Sequence, residues 1–123
     1  MTRLSRIQLH MMEQAIFLPM VISILNRDLA HLKKNQTLKL NEPYIQLVTS
    51  ALKEAQKALY QLKQHLRKEK MNVQQIERDE GFTTYLFVMN GYEEKHKYFN
   101  PRIRHRVEEL LTRYFLHHAD KKS

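Results

Sequence analysis

The chain of 123 residues has no cysteine and no tryptophan, only two glycines and only three prolines. Without cysteine there can be no disulfide, no thiolate nucleophile and no thiolate metal site, which suits a reducing compartment. Gly81 and Gly91 are too few and too far apart to build a glycine-rich phosphate loop. Ser5, Ser23, Ser50 and Ser123 lie in no nucleophile elbow. Long apolar runs are missing as well. The most apolar window, Ala15 to Leu25, is about half the length needed to cross a bilayer, and Asn26 and Arg27 follow it. The leading segment MTRLSRIQLHMMEQ has no signal-peptide core. A cytoplasmic protein without a membrane span is therefore expected.

What the chain does have is rhythm. Met11, Ala15, Leu18, Ile22, Leu25, Leu29 and Leu32 step by threes and fours, as do Ile45, Val48, Leu52, Ala55, Leu59, Leu62 and Leu66. That spacing returns an apolar side chain to one helix face about once per turn, a coiled-coil-like seam. The first helix is expected over about Ser5 to Lys34, kinked or broken at Pro19. Met12, Ile16, Phe17, Met20, Val21 and Ile24 flank its seam, so this stretch needs more than one neighbour, within the chain or from a second copy. The connection covers 35–43, with Asn41 as a cap and Pro43 in the first turn of a second helix ending near Lys70. Its shortness makes the two helices antiparallel neighbours.

Beyond Lys70 two patterns compete. Asn72 to Asp79 reads as extended or loop. Phe82 to Met89 is aromatic and β-branched, which favours a strand, and Asp79-Glu80-Gly81 can turn a hairpin. Against this, Phe82, Tyr85, Met89, Tyr92, His96 and Phe99 are again spaced by threes and fours, which predicts a third helix over about 82–99. Asn100 and Pro101 then start a fourth helix running to about His117. The expectation is an all-α fold: a long antiparallel helical hairpin plus two shorter C-terminal helices, bundle-like, forming one domain over 1–118 with a frayed tail at 119–123. The alternative is α+β with a hairpin around 72–90.

Gly91-Tyr92-Glu93-Glu94, the run Tyr98-Phe99-Asn100-Pro101-Arg102-Ile103-Arg104 and Val107-Glu108-Glu109-Leu110-Leu111 resemble a family of short uncharacterised proteins of Bacillus and related Gram-positive bacteria, the YhjD type. Leu18-Pro19-Met20-Val21 and Arg27-Asp28 fit the same pattern. The resemblance covers most of the chain. It implies a compact small domain in a bacterial cytosol and identifies no catalytic residue.

Candidate chemistry is sparse. Glu93 and His96 would share a helix face and could bind a metal, with His10 and Glu13 as a reversed pair. Carboxylate di-metal sites need more carboxylates than the helical seams supply, so a solvated charged face is the plainer reading, and no cofactor is implied. The basic residues are the better lead, because the net charge is +8. Lys63, Arg67, Lys68 and Lys70 crowd the end of the second helix, where cations complement the helix dipole. Arg102, Arg104 and Arg106 crowd a helix start, where they do not. Either these arginines pair with Glu93, Glu94, Glu108 or Glu109, or they face an anionic partner. Tyr85, Tyr92, Tyr98 and Tyr114 could stack bases, although aromatics at helical spacing are more often core. The expected function is a small non-enzymatic interaction or regulatory protein, with a protein partner or self-association as a homodimer. A nucleic-acid-binding accessory protein using the basic clusters is the alternative, and a carboxylate–histidine metal protein a distant third. No small-molecule substrate is identifiable from the sequence.

Overall fold

The computed structural model describes residues 4–35 and 41–122, with side chains described as far as 117. The bulk of the expected connection, 36–40, the side chain of His118 and those of the expected tail lie outside the described residues. The order of elements is α1 (Arg6–Lys34), α2 (Asn41–Lys68), β1 (Met71–Arg78), β2 (Phe82–Met89), β3 (Tyr92–Phe99) and α3 (Asn100–Lys122).

The first two helices form as their seams predict. Ser5 starts α1 with a capping box: its hydroxyl accepts from Gln8 N–H at 3.1 Å, and the Gln8 side chain accepts from Ser5 N–H at 2.9 Å. The helix runs unbroken through Pro19. Asn41 does not serve as an N-cap. It is the first residue of α2, and its side-chain amide donates to the Leu32 carbonyl at the end of α1. By length and composition α1 could cross a membrane, but Met12, Ile16, Phe17, Val21 and Leu25 place it at the centre of the folded core. In its first half the deepest residues are Met12, Phe17, Leu18 and Ile16, of which only Leu18 belongs to the seam, rather than Met11 and Ala15. The reason is that α2, α3 and β1 all pack on this helix.

The all-α, bundle-like and coiled-coil-like expectation is overturned in the C-terminal half. Residues 71–99 form a three-stranded antiparallel sheet in the order β1-β2-β3, so the fold is α+β. The expected third helix is two strands, and the segment before it, expected as extended or loop, is a third. The overriding local signal is Asn90-Gly91. Asn90 has φ 55° and Gly91 φ 86°, and Met89 pairs with Tyr92 across them. Left-handed conformation at both central residues is the geometry of the tight hairpin turn that follows strand twist. A helix cannot pass through it. The first hairpin closes through Asp79, whose Oδ1 accepts from Gly81 N–H at 2.8 Å and Phe82 N–H at 2.7 Å. The apparent helical spacing is thus accidental. Tyr85, Met89, Tyr92 and His96 share the helix-facing side, while Phe82 and Phe99 pair on the other side with ring centroids 5.4 Å apart.

Alternation along β1 contains one break. Met71, Val73 and Gln75 oppose Met89, Phe87 and Tyr85, but the register shifts between Gln75 and Glu77. Ile76 is an extra residue, a β-bulge. Arg78 therefore pairs with Thr83 and lies on the same side as Tyr85, while Glu77 opposes Thr84 on the other face.

Asn100 joins the sheet to α3. Its Oδ1 accepts from the Thr83 hydroxyl at 2.6 Å, and its Nδ2 donates to the carbonyls of Asp79 at 3.1 Å and Glu80 at 3.2 Å. Thr83 is buried, so loss of its acceptor leaves a polar group stranded. We expect Asn100→Ala to cost about 2–3 kcal/mol, and Asn100→Asp, which keeps the acceptor, roughly half as much. Urea melts of the two variants check this. Equal costs would show that the Thr83 bond contributes nothing.

Candidate functional site

The sheet dismantles the suggested metal pair. Glu93 and His96 lie on opposite faces of β3, because neighbouring strand positions alternate. His96 instead bonds Glu94. Its Nε2–H donates to Glu94 Oε1 at 2.7 Å, and the other carboxylate oxygen accepts from the Tyr92 hydroxyl at 3.0 Å and from Leu4 N–H at 3.4 Å. Among the described residues no group of three or more potential ligands could hold a metal. Glu13 of the reversed pair is also occupied: it accepts from the Tyr98 hydroxyl at 2.9 Å and lies 3.8 Å from Arg106. Burial and the facing Glu13 carboxylate push the Tyr98 hydroxyl well above the usual phenol range.

The bond from His96, seconded by Tyr92 and Leu4, holds the Glu94 carboxyl below its ordinary value near 4.5. A carboxyl depressed in the folded state stabilises the fold fully above the unfolded value, and that stabilisation disappears as pH falls from about 4.5 through the folded value. Glu94→Gln should therefore lose less stability than the parent between pH 6 and pH 3. Denaturant melts across that range check it, and identical pH profiles would refute it.

The basic residues separate into several environments. Arg106 is structural: it pairs with Glu13, lies 4.0 Å from Glu109, and sets its guanidinium over the Phe17 ring at 5.4 Å. Arg102 makes no ion pair among the described residues and lines an open surface depression with Arg106 and Arg113. Lys63 and Arg67 line a groove between α2 and the start of β1. Lys68 ends α2, and Lys70 follows in a left-handed turn with φ 56°. Arg104 joins a different set. It lines a cleft of about 610 Å³ with Arg27 of α1 and Arg78 of β1, above a floor that includes Tyr85, Thr83 and Ile103.

Three features distinguish this cleft. None of its arginines makes an ion pair among the described residues, and no carboxylate lines it. The nearest acids in sequence are engaged elsewhere or face away. Asp28 lines a separate apolar depression with His31 and Phe115. Glu77 lies on the opposite face of the sheet. Asp79 is held by two backbone N–H groups, first that of Phe82 and then that of Gly81, which keep its carboxyl below the usual range. Lastly, Tyr85 is only 5% exposed as a residue, but its hydroxyl reaches solvent and makes no hydrogen bond among the described residues. Burial raises its pKa, and nearby Arg78 opposes that rise.

Of these three arginines the sequence reading singled out only Arg104. Arg27 stands alone in a helix, and strand parity puts Arg78 on the wrong side until the bulge at Ile76 is seen. No local sequence signal joins the three.

A model of the YhjD protein family matches residues 3–119. A protein of Bacillus subtilis (strain 168), described as uncharacterized protein YhjD, is 54% identical over 111 residues, covering 90% of this chain and 91% of its own. No solved structure matches.

Proposed function

From the premise that the chain belongs to the YhjD protein family, we propose that it is a cytoplasmic, non-enzymatic binding or regulatory protein whose partner presents an anionic group to the cleft of Arg27, Arg78 and Arg104. The observation that carries this reading is the convergence of three unpaired arginines from three separate elements on one concave surface without a carboxylate. Ordinary surface arginines scatter or pair, whereas guanidinium forks match anionic oxygens. Among the described residues lining the cleft there is no histidine or carboxylate to act as a base beside the arginines, which supports binding rather than turnover. The absence of cysteine and the use of α1 as a core helix support the location.

The second basic group counts against a nucleic-acid track. Lys63 and Arg67 sit beside the start of β1 and Arg78 at its end, about 20 Å apart at strand rise. The residues between, Met71 to Glu77, include no lysine or arginine. A nucleic-acid backbone needs cations along its length.

An anion that binds only the folded state raises the melting temperature. At matched ionic strength, inorganic pyrophosphate should raise it above chloride, and the double variant Arg27→Ser, Arg104→Ser should lose that difference. The same rise in parent and variant would defeat the proposal, because general salt effects act on both alike.

A further inference from the structure

Resting on that reading, we infer that the cleft takes the phosphoryl group of a small phosphorylated molecule, with the Tyr85 hydroxyl as a direct hydrogen-bond donor to it. The inference stands on the match between donors and ligand shape. Arg27 comes from the second half of α1, Arg78 from the end of β1 and Arg104 from the second turn of α3, so three separate elements each bring a cation to the cleft. Each guanidinium offers a fork of donors, and the hydroxyl adds one more. A carboxylate has two oxygens in one plane and cannot use that many donors from three elements. A phosphoryl group has three terminal oxygens arranged around phosphorus and carries close to two negative charges near pH 7.

Tyr85 supplies the independent support. The ring is buried but the hydroxyl is not sealed from solvent: among the described residues the buried polar side-chain atom without a partner is Asn41 Oδ1, so the Tyr85 donor is open to the cleft it lines. The ring is fixed by an edge-on contact with Tyr98, with centroids 5.9 Å apart, and the residue lines the cleft. Its donor is therefore held at the cleft, where a ligand oxygen can replace water. Asn100 also lines the cleft, but its amide and carbonyl oxygen are already committed to Asp79, Glu80 and Thr83. The cleft volume, about 610 Å³, falls in the range of small-molecule sites rather than of an extended groove. Space beyond the phosphoryl group lies against Met20, Ile24 and Val107, apolar side chains suited to the uncharged body of such a ligand.

The test is a nuclear magnetic resonance titration of the isotope-labelled full chain with AMP, glycerol 3-phosphate, succinate and a twelve-residue oligothymidylate. The two phosphate monoesters should shift the Nε–H signals of Arg27, Arg78 and Arg104 saturably, while those of Arg67 stay in place. Succinate should bind at least about tenfold more weakly. Tyr85→Phe, which keeps the packing, should lower phosphate-ester affinity by about tenfold, the loss of one hydrogen bond to a charged group. Arg104→Ser, at an exposed position, should lower it by at least as much. Succinate binding as well as the esters would overturn the phosphoryl assignment and leave the anionic cleft standing. Tighter oligothymidylate binding at the same arginines would overturn the small-molecule assignment. An unchanged affinity in Tyr85→Phe would remove the hydroxyl from the site. Absence of any saturable shift at the three arginines would overturn both this inference and the reading beneath it.

Discussion

Phe87→Ala should destabilise the protein by about 3–5 kcal/mol, the range for deleting a buried aromatic ring. Phe87 is fully buried in the central strand, opposite Val73 on one side and Glu94 on the other. Its ring stacks on His96 with centroids 4.3 Å apart and planes 20° apart, so the substitution also loosens the ring that bonds Glu94. Domains of this size have a stability of about 5–15 kcal/mol, so the variant should retain only part of it. Its melting temperature should fall on the order of 10–20 °C. Calorimetry on the parent and Phe87→Ala measures this. A change below about 1 kcal/mol would mean that the sheet does not pack on the helices as described.

Leu25→Ala and Leu59→Ala should part company. Both lie on the periodic seams, and the seams alone assign them equal cost. In the fold, Leu25 is fully buried beneath the neighbouring elements, whereas Leu59 lies at the rim of the groove lined by Lys63 and Arg67. Removal of the Leu25 side chain leaves a cavity and should cost about 2–5 kcal/mol. Removal of Leu59 opens an existing groove to water and should cost under about 1.5 kcal/mol. Urea unfolding with unchanged denaturant sensitivity gives both numbers. Equal losses would show that the α1–α2 seam is buried evenly along its length.

The helices were legible because their signals are local and agree with one another. The seams, the Ser5 start and the Asn100-Pro101 boundary each point the same way. The sheet was misread because two periodicities overlapped between Phe82 and Phe99, and the longer one was preferred. Asn90-Gly91 held the deciding information. It is a two-residue turn signal between apolar and aromatic segments, and it outweighs spacing because left-handed backbone at two successive residues ends a helix outright. The hairpin at Asp79-Glu80-Gly81, the alternative the sequence offered, also forms.

The candidate site was legible only in fragments. Crowded arginines at Arg102, Arg104 and Arg106 were visible as an anomaly at a helix start, but their fates differ. Arg106 pairs with Glu109, one of the neighbours the sequence offered, and also with Glu13, a carboxylate far away in sequence. Arg104 meets Arg27 and Arg78 only through tertiary packing. Sequence proximity therefore identified one partner of Arg106, Glu109, and missed both Glu13 and the company of Arg104. For Tyr85 the core reading of its aromatic spacing holds over base stacking. The fold buries its ring and leaves only the hydroxyl to interact.

The bulge at Ile76 also bears on how the molecule meets copies of itself. A three-stranded sheet has two outer edges, and each exposes backbone donors and acceptors that can recruit another strand. Along β1 the extra residue interrupts the regular run of those groups, so an incoming strand could match the segment before Ile76 or the one after it, but not both in one register. That edge is thereby closed to extended pairing by its backbone, without proline. The other edge, β3, pairs with β2 without a register shift along its length. Any association that lengthens this sheet would have to proceed from β3, where Glu93, Lys95 and Lys97 share the face away from the helices, and their charges would then select which strands could approach.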